Sequence, residues 1–410
     1  MDTKFVGDIR ARMVAEAGRS GPPEDWPVLP DLPIGRYTDE GFLQLEMERV
    51  FRRGWLFAGH VSEFPEPGSY RVLDIPIAPI VAVRAQDGEL RAFLNTCRHR
   101  SAPVVRDSCG TAKYLVCQFH AWSYDHAGKL VQVPDERDFR ELDPGQRALT
   151  PVRCETWGGF VFVNLDPDAL PLLEHFAPLV ERYGDLIEST TLRPVLSKTW
   201  EIRCNWKVAI EAFMEIYHFK VVHKDSAGPF IDHRGGVMLM HPNGHSSGFT
   251  PYRMDALEAS GAMDLFFPKD SPVVEGLSEL YREANPSFTA FPNLVSPTDL
   301  TGFPLLVWYP LGIGRTQMQI HWYGPDWGEG ERPPFWDIKL ASWDVLLGED
   351  TKNLEPIQAS IEAAAHTGIP LNYQERRIWQ FHVDIDKLIG PERVPDRLRV
   401  ADVLGHYIEP

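Results

Sequence analysis

Two short segments of the chain each contain one cysteine and one histidine. Cys97 is followed by His99, and Cys117 is followed by His120. Together they offer two thiolates and two imidazoles, which could complete a structural zinc site or hold one two-iron cluster. A typical zinc finger places two cysteines before two histidines, so the order Cys-x-His and Cys-x-x-His favours a cluster with cysteines on one iron and histidines on the other. Buried cysteines and hydrogen-bonded histidines without a metal are the alternative.

This pattern resembles the Rieske motif of the ring-hydroxylating oxygenase alpha subunits. Arg98 and Arg100 flank the first histidine, and Trp122 follows the second. The resemblance implies that a [2Fe–2S] cluster is bound by four residues: Cys97, His99, Cys117 and His120.

Three positions depart from the family pattern. Ser101 and Ala121 stand where glycine is common, and Gln118 stands where proline is common. None of these is a ligand. The remaining three of the five cysteines are predicted to be free thiols in the core: Cys109, Cys154 and Cys204.

His218 and His223 are candidate ligands for a second metal. On a continuous helix, side chains five residues apart point roughly 140° away from each other, so the pair could not share a metal there. The helix from about Trp206 is therefore predicted to stop or distort after His218, and the β-branched Val221-Val222 favours such a break. Glu215, three residues before His218, would share its helix face. Taken alone, the spacing also fits two hydrogen-bonded core histidines.

Two imidazoles need a carboxylate to complete the facial triad that holds non-haem Fe(II). Asp350 is the predicted third ligand, because a buried acid needs a partner and its helical stripe is otherwise apolar. Asp344, Glu349 and Glu355 fall off this stripe, although a shifted helix boundary would favour one of them. The apolar members of the stripe are Leu346, Leu354, Ile357 and Ile361.

The segment around these histidines resembles the catalytic domain of the same family. An Asn-Trp-Lys sequence starts at Asn205, and an acidic residue precedes a Tyr-His pair that is followed by a second histidine. Glu215 stands where many members have aspartate, and Ala212 stands where asparagine is common. The resemblance implies a mononuclear Fe(II) on His218, His223 and Asp350. It also implies that Glu215 links His218 to His120 of the partner subunit in a head-to-tail trimer.

The pattern of apolar residues predicts two kinds of structure. Alternating residues and Gly or Pro turns between Trp55 and Leu165 predict a small β-sandwich. Strand and helix patterns mix afterwards, with a hairpin around Gly312 and Gly314 and a long helix from Phe335 to Ala365. The expected fold class is α+β, with a Rieske β-sandwich and a helix-grip catalytic domain. The predicted domains are an N-terminal arm and helix packed on the catalytic domain (1–50), the Rieske domain (51–165) and the catalytic domain (166–410).

Composition excludes several classes of protein. The net charge of −17 over 410 residues disfavours nucleic acid as a partner, because that binding needs clustered basic residues. Five cysteines in so long a chain do not form a disulfide scaffold, which favours a reducing compartment. The opening residues and the short apolar runs lead us to expect neither a signal peptide nor a membrane-spanning segment. The sequence therefore predicts a cytoplasmic protein that does not bind membranes.

The family resemblance implies a terminal oxygenase that uses O2 to hydroxylate or dihydroxylate an apolar aromatic or alicyclic substrate. Hydroxylation or oxidative demethylation of a quaternary ammonium compound is one alternative, and a Rieske electron carrier is another. The chain lacks a flavin or nicotinamide fingerprint, so an NAD(P)H-dependent reductase is expected to supply electrons, directly or through a ferredoxin. A homotrimer is expected, with a beta subunit left open. The predicted pocket residues are Ile210, Phe213, Phe219, Phe288, Phe291, Leu294 and Trp308.

Overall fold

The structure, a computed structural model, describes residues 1–188, 192–267 and 272–409. The chain divides into two compact units. The smaller unit contains residues 51–174, and the larger unit contains residues 1–50 and 175–410. The N-terminal segment thus belongs to the same unit as the candidate iron ligands.

The smaller unit extends beyond the boundary expected for 51–165. The segment that follows stays bonded to this unit, since Trp55 Nε1 donates to the Leu170 carbonyl at 3.0 Å. The Leu172 N–H also donates to Glu155 Oε2 at 2.8 Å. These bonds across the sequence carry no local signal, which is why the pattern of apolar residues did not place them.

The smaller unit contains two antiparallel sheets. Their strands are short and bounded by turns, as the alternating pattern predicts. A seven-stranded sheet has the order Leu56–His60, Phe160–Asn164, Pro151–Trp157, Leu90–Leu94, Ile80–Arg84, Ser69–Val72 and Cys109–Thr111. A three-stranded sheet has the order Leu115–Val116, Ser123–Tyr124 and Leu130–Gln132. Both candidate cluster cysteines lie in the apolar core of this unit.

The larger unit is built on a seven-stranded antiparallel sheet. The predicted hairpin is confirmed as the pair Phe303–Gly312 and Arg315–Pro325. The strand order is Leu192–Ile202, Arg315–Pro325, Phe303–Gly312, Leu294–Pro297, Ala284–Ala290, Ser246–Pro251 and Val237–Met240. A separate two-stranded ladder pairs Leu32–Pro33 with Gly368–Ile369.

Helices pack around this sheet. The longest, Phe335–Glu362, places Trp336 against Trp322 of the sheet with ring centroids 6.0 Å apart. The predicted α+β class is therefore confirmed. The other α-helices of the larger unit that the structure describes are Thr3–Gly18, Glu40–Glu46, Ala177–Glu188, Trp206–Glu211, Phe219–Val222, Met254–Ser260, Met263–Phe266, Leu280–Glu283 and Arg376–Ile389, and Leu172–His175 lies at the boundary between the units. None of the helices within the described ranges is long and apolar enough to cross a membrane.

One prediction about the cysteines is wrong. All five are free, Cys204 is buried and Cys154 is half-buried, but Cys109 is exposed. Cys109 begins the edge strand Cys109–Thr111, where each residue is exposed. Its local sequence does not distinguish a core strand from an edge strand.

Candidate metal centres

The four candidate cluster ligands lie on two loops of the same form. In the first loop, the Cys97 N–H donates to the Ala102 carbonyl at 2.8 Å, and the Ser101 N–H donates to the Cys97 carbonyl at 3.0 Å. Residues 117–122 repeat these two bonds at 2.9 and 2.8 Å. Each loop is therefore closed by its own backbone and presents one cysteine and one histidine.

The two non-glycine departures in these loops have left-handed backbone. Ser101 has φ 59° and Ala121 has φ 57°. This conformation costs an L-residue about 1–2 kcal/mol, whereas glycine adopts it without that cost. The structure thus explains why glycine suits both positions.

We expect the Ala121→Gly variant to be more stable. Relief of the strain of the left-handed backbone should raise the free energy of unfolding by roughly 1 kcal/mol, which corresponds to a rise of about 3 °C in the thermal midpoint. Calorimetry of the intact protein measures this shift. Ala127→Gly, at an exposed turn of the same unit without positive φ, is the matched control. An equal rise in both variants would contradict the explanation.

The side chains of these loops provide suitable donor atoms. The thiols of Cys97 and Cys117 are buried and lie within hydrogen-bonding reach of each other. The rings of His99 and His120 lie 4.5 Å apart, centroid to centroid. Nδ1 of His99 is buried without a hydrogen-bond partner in the part of the chain that the structure describes. An orphaned ring nitrogen on one of these loops, together with the two thiols, suits a [2Fe–2S] cluster with mixed ligands.

Tyr124 lies next to the first thiol. Its hydroxyl is 3.4 Å from Cys97 Sγ and accepts the Arg98 N–H at 3.0 Å. Burial raises the pKa of Cys97, and the hydrogen bond from Tyr124 opposes that rise by favouring the thiolate. The hydroxyl therefore supports the charged form that a metal ligand needs.

The second group of ligands converges on one point. Nε2 of His218 and Nε2 of His223 are 3.2 Å apart. Oδ1 of Asp350 lies 3.5 Å from the first nitrogen and 3.1 Å from the second. Ligands bound at about 2.1 Å and at right angles lie about 3 Å apart, so these spacings fit one face of an octahedral metal site.

The predicted break between the two histidines is wrong, because the chain is interrupted before His218 instead. The helix that starts at Trp206 ends at Glu211 instead of continuing to His218. A separate helix of one turn, Phe219–Val222, begins after His218 and ends before His223. The His223 N–H donates to the Phe219 carbonyl at 3.1 Å, so the chain between the two histidines is helical. The two imidazoles lie at the ends of this turn, where their Nε2 atoms approach each other.

Glu215 contacts His218 through a turn and not through a helix face. Oε1 accepts the Nδ1–H of His218. Oε2 accepts the backbone N–H of Tyr217, and that of His218 at 3.2 Å. This second oxygen binds amides that the interrupted helix leaves without a carbonyl partner. The expected link to His120 of the partner subunit would instead need an acceptor that faces outward.

Glu349 holds the other histidine, a role that the sequence did not reveal. Its Oε2 accepts the Nδ1–H of His223 at 2.7 Å and the Ser226 hydroxyl at 2.6 Å. Burial opposes a charge on His223, but the bonds to Asp350 and Glu349 outweigh it and raise the pKa of His223. Each imidazole thus has a carboxylate on Nδ1, which directs both Nε2 atoms to the centre.

The two other acids that we considered as the third ligand do not contact the histidines. Asp344 pairs with Lys198 at 3.0 Å, and Glu355 pairs with Arg203 at 2.8 Å, both at exposed positions. The apolar residues of the helix that led us to choose Asp350 are only partly buried, since the side chain of Ile357 is 45% exposed. Asp350 itself is largely buried and lies beside both histidines.

We expect Glu349→Gln to weaken iron binding about 10- to 100-fold, since carboxylates on the outer nitrogen orient a ligating histidine and raise its basicity. Iron titration of the apoprotein measures the affinity. Glu355→Gln, on the same helix but paired with exposed Arg203, is the matched control. Unchanged affinity in Glu349→Gln would show that His223 needs no support from this acid.

A cavity of about 170 Å³ opens beside the three converging ligands, with His218, His223 and Asp350 in its wall. Phe213 and Phe219 line it, as predicted, whereas the other five predicted pocket residues do not. These five are buried in the core instead: Ile210, Phe288, Phe291, Leu294 and Trp308. Further apolar residues of the wall are Ala212, Ile216, Ala227, Ile231, Met238, Tyr252, Phe266, Val295, Trp343 and Leu346.

Two protein-family models match the chain. Residues 54–147 match the Rieske [2Fe-2S] domain, and residues 189–390 match the catalytic domain of the ring hydroxylating alpha subunit. The chain therefore belongs to the Rieske ring-hydroxylating oxygenase alpha subunits. The first domain implies a [2Fe–2S] cluster, and the second implies a mononuclear iron.

Curated relatives and solved structures agree with this family. The chain is 39% identical over 188 residues to benzene 1,2-dioxygenase subunit alpha of Pseudomonas putida, covering 44% of this chain and 42% of that protein. It is 32% identical over 216 residues to 2-aminobenzenesulfonate 2,3-dioxygenase subunit alpha of Alcaligenes sp., covering 52% and 55%. The chain thus spans about half the length of the curated relatives it matches.

Naphthalene 1,2-dioxygenase from Rhodococcus sp. has a similar fold. The TM-score is 0.71 at 22% identity, over 95% of this chain and 98% of that one. The predicted fold class, with both a Rieske domain and a helix-grip catalytic domain, is confirmed by this likeness.

Proposed function

We propose that this protein is the terminal component of a multicomponent oxygenase that uses O2 to hydroxylate or dihydroxylate a ring-containing substrate. The observation that carries the proposal is the set of His218, His223 and Asp350, whose ligand atoms converge in the wall of a largely apolar cavity. Three protein ligands leave coordination positions free, which is the arrangement of non-haem iron oxygenases.

Each residue of the two centres has a defined task in this proposal. When bound, the cluster would supply single electrons, and the iron would activate O2 beside the substrate. Glu215 and Glu349 would fix the orientation of the imidazoles, and Asp350 would provide the one anionic ligand. Phe213 and Phe219 would exclude water and position an apolar ring at the open side of the site.

The proposed partners follow from the same role. The chain would receive electrons from an NAD(P)H-dependent reductase, directly or through a ferredoxin. A cytoplasmic homotrimer remains our prediction. In that assembly, Glu215 would bind His218 and also His120 of the partner subunit.

Two alternatives are less well supported. An electron carrier would need only the Rieske unit, and it would leave the converging ligands and their cavity without a role. A quaternary ammonium substrate would require the cavity to accept a cation. The wall already contains the buried guanidinium of Arg377, which would repel one.

Turnover of the reconstituted enzyme tests the proposal. The holoprotein, with a surrogate reductase and NADH, would be supplied with benzene, biphenyl, benzoate or choline under labelled O2. We expect labelled oxygen in the product of a ring compound and none in choline. Oxidation of choline alone would contradict the substrate class. Reduction and reoxidation of the cluster without product from any compound would favour the electron carrier.

A further inference from the structure

Arg377 is a buried cation in the wall of the active-site cavity. It lies near the start of the helix Arg376–Ile389 and is 2% exposed. The same cavity is lined by His218, His223 and Asp350. The guanidinium and the candidate iron ligands therefore share one enclosed space.

The hydrogen-bond partners of this guanidinium are all neutral. Nε donates to Ser246 Oγ at 2.9 Å, Nη2 donates to Thr289 Oγ1 at 2.8 Å, and Nη1 lies 3.6 Å from Met238 Sδ. Across residues 1–188, 192–267 and 272–409, no carboxylate forms an ion pair with Arg377. The sulfur is a weak acceptor, so Nη1 has the poorest partner of the three nitrogens.

The other buried cations of the larger unit do have acids beside them. Lys339, which also lines the cavity, bonds both carboxylate oxygens of Asp299 at 2.7 and 2.5 Å. Arg377 thus differs from its buried counterparts in the described chain. The remaining pairs are Arg36 with Asp386, Arg182 with Glu181, Lys207 with Glu46, and Arg376 with Glu16.

Burial of an unpaired charge is costly. The penalty amounts to several kcal/mol even after relaxation, because the lost hydration is not replaced. Burial lowers the pKa of Arg377 to about 10. The side chain nevertheless stays charged near neutral pH, so its wall of the cavity carries a positive charge that no acid of the described chain neutralises.

The backbone of Gly248 packs closely against this nitrogen, and a side chain at that position would clash. A Cβ added at Gly248 would lie 3.0 Å from Arg377 Nη1 and 2.8 Å from Ser287 Oγ. The hydroxyl and the guanidinium nitrogen are thus neighbours at a position without a side chain. Ser287 and Met238 also line the cavity, so this corner offers a charged donor and a neutral donor together.

We infer that the substrate is a ring compound with an anionic substituent, a carboxylate or sulfonate, which Arg377 binds while the ring lies toward His218, His223 and Asp350. This inference rests on the proposed function and names the substrate class of the same site. Lys339 does not provide a competing site for the anion, because Asp299 already neutralises it. The ion pair forms only when substrate enters, so the cost of the buried charge is offset at that moment.

A matched pair of ligands tests the inference. Benzoate and benzamide have the same ring and similar size, but only benzoate is charged. We expect the oxidised holoprotein to bind benzoate at least about tenfold more tightly than benzamide in calorimetric titrations. We expect the same preference in kcat/KM, and benzenesulfonate should behave like benzoate. Equal binding of the charged and neutral ligands by the wild-type protein would overturn the inference without any variant.

Two variants then assign the preference to one side chain. Arg377→Met should lose the preference through a higher KM for benzoate, and Arg377→Lys should retain part of it. Arg376→Met is the control, because Arg376 is also buried but bonds Met238 O and lies 3.7 Å from Glu16. A preference that survives in Arg377→Met would also overturn the inference. Turnover of benzene or biphenyl with no preference for benzoate would leave the oxygenase function intact, whereas no turnover of any ring compound would contradict that function.

Discussion

Asp350→Ala is expected to lose about one iron per chain and all turnover, while the cluster spectrum stays unchanged. Asp350 Oδ1 is the only carboxylate oxygen that the described chain places beside both Nε2 atoms, at 3.5 and 3.1 Å. Two neutral imidazoles alone bind Fe(II) weakly, since the triad needs its anionic oxygen ligand. Iron analysis, the visible spectrum and product formation measure the three expected results.

Asp344→Ala is the matched control for that variant. Asp344 lies on the same helix, but its carboxylate binds exposed Lys198, so both iron content and turnover should remain normal. Iron loss in Asp344→Ala, or in Glu355→Ala, together with normal iron in Asp350→Ala would show that a different acid is the ligand.

Glu215→Gln is expected to keep both metals and a reducible cluster, while product formation falls at least about tenfold. The side-chain amide of the glutamine can still accept a hydrogen bond from His218. The substitution removes the negative charge that would link this imidazole to His120 of the partner subunit. Oε1 accepts one bond within the chain. An ionised carboxylate oxygen has a second acceptor site, so the intersubunit bond remains possible even though Oε2 is occupied.

Single-turnover kinetics separate this effect from a loss of iron, because the cluster is reduced first and its reoxidation is followed after O2 is added. Glu201→Gln, which removes an exposed charge paired with Arg315, controls for net charge. Normal turnover in Glu215→Gln would contradict the route between subunits, and so would a wild-type monomer that stays fully active at high dilution.

The sequence predicted the parts of the site that depend on short-range spacing. Cys97 and His99 are close along the chain, so their loop could be inferred without the fold. The spacing of His218 and His223 led us to predict a break between them, but the turn between them is helical and the interruption lies before His218. The helix ends at Glu211, earlier than predicted. The carboxylate of Glu215 accepts amide N–H groups of the following turn, and helix propensity alone does not account for such side-chain acceptors.

Other features depend on tertiary contacts that spacing does not determine. Glu349 directly precedes Asp350 in the sequence. Its role could not be predicted, because its hydrogen-bond partners, His223 and Ser226, are more than 120 residues away along the chain. Phe288 and Trp308 are apolar and lie on sheet strands, but the sheet turns them into the core and away from the cavity. Arg377 follows another arginine, a pattern typical of an exposed helix face, and only the packed structure shows that it is buried.

The presence of both metal centres is tested by the content of iron and acid-labile sulfide in the protein purified without oxygen and reconstituted with iron. We predict about three irons and about two sulfides per chain, with the visible absorption of a Rieske cluster. Two irons and two sulfides with no third iron after reconstitution would contradict the oxygenase and favour an electron carrier. A colourless protein that contains zinc would contradict both centres.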